Sequence, residues 1–176
     1  MAGFLSCVKH TRRLARLRAH DLHNAGRRGV TAVEMALIAP VFFTMLMGIV
    51  EMGLMFGAQQ LLENATYNTS RLAKTGYVAN GQTQSQTVNQ ILTTELQSYG
   101  SLISMTNVTM TETDYNSFSS AAAGGGATGY GTQQQIVVYT VTYPWKLFTP
   151  MISALIGTGG VVNLISTIVV RNEPYG

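Results

Sequence analysis

The chain has 176 residues, 46% of them apolar and 11% charged, with a formal net charge of +3. That charge is unevenly placed: Lys9, Arg12, Arg13, Arg16, Arg18, Arg27 and Arg28 face only Asp21 in the first 29 residues, whereas Arg71, Lys74, Lys146 and Arg171 face seven acidic residues after them. A net-negative body argues against a nucleic-acid partner for the folded part, and with Cys7, His10, His20 and His23 all ahead of Gly29, residues 30–176 have no thiol or imidazole for disulfides, histidine acid–base work or Cys/His metal sites.

In the basic leader, Arg12 to Arg18 is acid-poor, a composition that suits an amphipathic helix on anionic lipid. From Val30 to Phe56 the only charges are Glu34 and Glu51, so the apolar run exceeds the ~20 residues with which a helix crosses a bilayer. The run is longer than the about 7 to 15 apolar residues of a secretory signal and lacks a small-residue cleavage site at its far end. It reads as a transmembrane helix over residues 30–57, with the basic leader cytoplasmic and everything beyond it external. Pro40 and Gly48 weaken the helical ladder but are tolerated in lipid. Gly53 and Gly57 fit the spacing of small residues that lets two helices approach.

Two carboxylates in such a run need an explanation, because a charge at mid-bilayer costs on the order of 2.5 to 3.5 kcal/mol on insertion scales. Glu34 lies near the entry edge, where it can snorkel to the headgroups. Glu51 is 17 residues further on, about 260° round the helix at ~100° per residue, so the two do not share a face. For Glu51 two readings stay open, a position at the outer interface and a contact with another subunit's helix.

The order Arg27-Arg28-Gly29-Val30-Thr31-Ala32-Val33-Glu34, a basic patch, a glycine, four small or apolar residues and a glutamate ahead of the span, resembles the processing site of type IV prepilins and pseudopilins. Residues 32–40, then Gly48-Ile-Val-Glu51-Met-Gly53, Gln59-Gln60 and Asn64-Ala65, are similar to the start of the TadE-like family, minor pseudopilins of the tight-adherence (Tad, Flp) pilus system. The closing Arg171-Asn172-Glu173 is similar to that family's C-terminal end. The resemblance implies a single-pass protein of the bacterial inner membrane, cut by a prepilin peptidase between Gly29 and Val30. It also implies that Glu34 neutralises the new N-terminal amine of a neighbouring subunit during assembly of an adhesive pilus. The implied partners are the membrane, the peptidase, other pilins or pseudopilins and the assembly machinery. Neither enzymatic activity, a cofactor nor a small-molecule substrate is expected. An uncleaved, single-pass anchored binding module is the alternative.

Past the span, Ala58, Leu61, Leu62, Ala65, Thr69, Leu72 and Ala73 keep helical spacing, so the first helix is expected to run from Val30 to Thr75 and stop at Gly76. A polar loop from Val78 leads to a second helix, capped at Ser85 and closed by Gly100, whose Val88, Ile91, Leu92, Leu96 and Tyr99 form an apolar stripe. Asn107 to Thr113 alternates as a strand. Ser117 to Gly131 reads as a flexible loop, and the G-x-G-x-x-G match at Gly124, Gly126 and Gly129 is weak because a strand, not a helix, follows it. Gln135 to Tyr143 is a strand that Pro144 should stop. Trp145 to Ile156 is an apolar connection expected to fold back under the sheet, with a partner or membrane-surface contact as the other possibility. Val161 to Arg171 is the last strand.

The fold class is therefore α+β: a leader (1–29), a transmembrane stalk (30–57) and an external head (58–176), in which a second helix packs on an antiparallel sheet of at least three strands, a pilin-like layout. Strand order is not readable from the sequence.

Overall fold

A computed structural model describes residues 2–100, 102–155 and 159–174, with side chains described from Gly29 onward except that of Leu155. Two compact units divide the chain, Met1–Met47 and Gly48–Gly176, and helix α1 (Ala2–Ala73) contributes to both. In the first unit the helix is already formed within the leader, ahead of the expected start at Val30. Leucine, alanine and arginine dominate the leader around Arg12–Arg18 and all favour helix. Pro40 supplies no N–H to the turn before it, yet the helix runs through it, and Thr44 Oγ1 donates to the Pro40 carbonyl at 2.7 Å.

The second unit holds the last turns of α1, helix α2 (Gln84–Ser98), a 3-10 turn (Met105–Asn107), strand β1 (Thr109–Tyr115), helix α3 (Phe118–Ala123), strand β2 (Ala127–Thr128), strand β3 (Ile136–Lys146), helix α4 (Pro150–Leu155) and strand β4 (Val161–Arg171). The sheet is antiparallel throughout, in the order β2-β1-β3-β4. Ala58, Leu62 and Ala65 of α1 meet Leu92 and Leu96 of α2 and Val141 and Leu164 of the sheet in the main core. A second core joins Ala73, Val88, Val137 and Tyr139. The helical stripe is as spaced in the sequence, except that Leu72 turns outward and Thr66 and Ser70 turn in. Their hydroxyls are satisfied within the helix, by Leu62 O and Tyr67 O.

Three local expectations are corrected. Helix α2 is capped by Thr83, not Ser85: its side chain takes the Gln86 N–H while the Gln86 side chain takes the Thr83 N–H, a reciprocal box that Ser85 cannot make. The segment 117–131 is not a structureless loop. Ser117 and Ser120 form the same kind of box at the start of α3, Gly124 ends that helix at φ 75°, and Ala127–Thr128 pairs with β1.

Pro144 does not stop β3, which continues to Lys146 with Pro144 opposite Asn163. Leu147 N–H donates to Gly160 O, so odd-numbered residues of β3 direct their amides toward β4 and Pro144 faces the other way. On that side β1 has already ended, with Thr109 opposite Thr142. The missing proline N–H therefore costs the ladder nothing.

Candidate functional site

Gly29, Val30 and Glu34 lie on exposed helix surface in the first unit, and a Cβ built at Gly29 meets nothing within 4 Å. Gly29–Ala73 is the one helix among the described residues long and apolar enough to cross a membrane, with a mean hydropathy of 2.1 over its most apolar window and none of that window buried. Val33, Leu37, Phe43 and Met45 are typical, each more than half exposed. An apolar surface of this extent is stable only against lipid or other protein.

In the second unit Glu51 is 2% exposed. One carboxylate oxygen accepts from the Phe148 N–H at 2.6 Å and the other from the Thr149 N–H at 3.3 Å, the two amides just ahead of α4. The carboxylate thus meets two donors that the short helix cannot use itself, and a buried charge is tolerated where hydrogen bonds replace water. Both partners belong to its own chain, a contact that stands beside the two readings left open for Glu51. The sequence marks the glutamate as a charge that needs an explanation, but a backbone amide 97 positions away leaves no mark in it.

The glycines divide similarly. A Cβ at Gly48 would stand 2.8 Å from Ile152 Cδ1, so this glycine is where α4 closes on α1. At Gly53 and Gly57 a Cβ meets nothing within 4 Å, and no close approach within the unit uses that pair.

The connection after β3 splits in two. Trp145 and Leu147 are buried and Ile152 packs against the core, as folding back under the sheet required. Phe148 and Met151, however, are 52% and 60% exposed. Ile156 lies outside the described residues.

Arg171, Asn172 and Glu173 form a latch. Arg171 Nε donates to Gln134 O at 3.0 Å, and the buried Asn172 donates through Nδ2 to Tyr130 O and Thr132 O at 2.9 and 3.0 Å. Glu173 closes on the end of α1, with its N–H on Lys74 O at 2.9 Å and its carboxylate 3.0 Å from Lys74 Nζ. Alongside lies an open groove of about 450 Å³ lined by Asn68, Arg71, Thr75 and Glu95. Asn68 Nδ2 donates to Glu95 Oε2 at 2.9 Å. Gly124, Gly126 and Gly129 end α3 and flank β2 at the sheet edge instead of opening a helix. Among the described residues no three His, Cys, Asp or Glu side chains gather as a metal ion requires.

Residues 29–71 match the family model described as TadE-like protein. The match begins at the glycine that follows Arg28 and ends at Arg71, two residues before the end of α1. No curated protein and no solved structure matches the chain.

Proposed function

We propose that this chain, TadE-like over residues 29–71, is a membrane-anchored minor pseudopilin. In this reading a prepilin peptidase cuts after Gly29, and Glu34 serves assembly of a Tad-type pilus. The observation that carries the reading is where the match starts. The TadE-like segment opens on the candidate cleavage glycine and includes Glu34, Pro40 and Glu51, so the features that looked like a processing site and the family likeness are one stretch of chain. The exposed apolar helix surface supports anchoring by a single span, and the seven basic residues ahead of Val30 support a cytoplasmic leader.

Chemically the role is that of a substrate and a structural part. Cleavage of the Gly29–Val30 peptide bond would leave a positive α-amino group on Val30, one helical turn from the Glu34 carboxylate. In a low-dielectric helix bundle neither charge is stable alone, and the Glu34 carboxylate of one subunit would satisfy the Val30 amine of its neighbour.

The test is the N-terminal sequence and intact mass of the membrane-extracted protein, from cells with and without the peptidase, beside a Gly29→Leu variant. A chain starting at Val30 that disappears in both controls is the expected result. An intact leader in every sample would refute processing and leave an uncleaved, anchored binding module.

A further inference from the structure

We propose that the turn Leu147–Thr149 and helix α4 rest in the lipid–water interface, so that the chain meets the bilayer at a second place besides its span. The inference rests on the anchored reading above. Its observations all lie within the second unit.

The segment is fastened to α1 at the level of Gly48–Met52. Glu51 binds the amides of Phe148 and Thr149, and Ile152 Cδ1 occupies the space a side chain at Gly48 would need. On the far side, Leu147 N–H is tied to Gly160 O and Trp145 is buried in the core. The position of this segment is therefore set by hydrogen bonds and packing.

At this level α1 itself is apolar and exposed: Ile49, Val50 and Met52 are each more than half accessible. Phe148 and Met151, in the segment fastened here, add two large exposed apolar side chains. A segment hydrogen-bonded to Glu51 sits at the same height on α1 as Ile49 and Met52, so lipid that covers those two reaches its level. Lys146, exposed and two residues ahead of Phe148, can extend its ammonium to headgroup phosphates while its stem stays with the apolar patch.

The arrangement also accounts for the glutamate. A carboxylate at the end of a span would otherwise draw water into the interface, and the turn covers it down to 2% exposure. The covering segment is then itself the part that faces lipid.

The test uses the full chain with Cys7→Ser and one new cysteine, at Phe148→Cys, Met151→Cys, Phe42→Cys or Thr167→Cys, carrying an environment-sensitive fluorophore. Each protein is reconstituted, dilute in phosphatidylcholine–phosphatidylglycerol vesicles, with and without lipids bearing nitroxide quenchers at shallow and at mid-chain depth. Quenching at 42, 148 and 151 with none at Thr167, on the exposed sheet face, is the expected result. Quenching at 42 but no more at 148 and 151 than at 167 would overturn the inference and leave anchoring intact. A label at 148 shielded from aqueous iodide yet untouched by the lipid quenchers would overturn it in favour of a second copy covering the patch. Absence of quenching at 42 would overturn both readings together.

Discussion

The carboxylate of Glu51 accepts the Phe148 N–H at 2.6 Å across 97 positions of sequence, joining the apolar helix to the turn that follows β3. Removing it strands two buried donors. Glu51→Ala should destabilise the second unit by about 1–3 kcal/mol, and Glu51→Gln by less, since its amide oxygen keeps one acceptor while its NH2 opposes the second amide. Thermal unfolding in detergent, with limited proteolysis around residues 147–155, reads both. Equal stability of wild type and Glu51→Ala would show that the contact carries no weight.

The Gly48–Ile152 approach gives a size-dependent prediction. A methyl group at Gly48 meets only the flexible end of Ile152, so Gly48→Ala should change stability by no more than about 1 kcal/mol, with the gain in helix propensity offsetting the crowding. Gly48→Leu should cost about 1–3 kcal/mol by displacing α4. Ile152→Ala in the same chain should recover part of that loss in a double-mutant cycle. Additive effects would separate the two residues energetically.

Much of this fold is legible in the sequence because its signals are local. The stripe Ala58-Leu62-Ala65-Thr69-Ala73, the alternation of Val137, Tyr139 and Val141, and the strand from Val161 each follow from periodicity. What escapes is decided by neighbours. Pro144 breaks a strand only if a partner needs its N–H, which depends on where β1 ends. Ser85 and Thr83 are equal caps until the Gln86 side chain reaches back to one of them. At the candidate site, Gly29, Val30 and Glu34 could be named as candidates because the proposed processing motif is a linear stretch. The roles of Gly48 and Glu51 could not be, since Ile152 and Phe148 reach them only through the folded head.

The latch separates a buried from an exposed contact. Lys74 and Glu173 pair at 3.0 Å with both side chains more than a third exposed, so Lys74→Ala should shift stability by less than about 1 kcal/mol, and less still at high salt. Asn172 is 2% exposed and its amide serves two loop carbonyls, so Asn172→Ala should cost about 1–3 kcal/mol. Amide exchange at residues 130–135 should rise in the second variant alone. The reverse ranking would assign the latch to the ion pair.

Glu34 offers the sharpest test of the proposed assembly role, because the proposed cleavage and assembly would make different demands on it. Peptide-bond cleavage after Gly29 needs the glycine and access to the bond, and Gly29 and Val30 both lie on exposed helix surface. Assembly needs the new Val30 amine neutralised once the apolar helix leaves lipid for a protein bundle, where an unpaired ammonium is costly. Glu34→Ala should therefore yield the same Val30 N-terminus as wild type and accumulate in the membrane, absent from the sheared pilus fraction. Glu34→Asp, which keeps the charge on a shorter stem, should restore part of the incorporation. A Glu34→Ala chain that stays uncut would move the residue from assembly to peptidase recognition, and one that is cut and incorporated normally would leave it with no role beyond a solvated edge carboxylate.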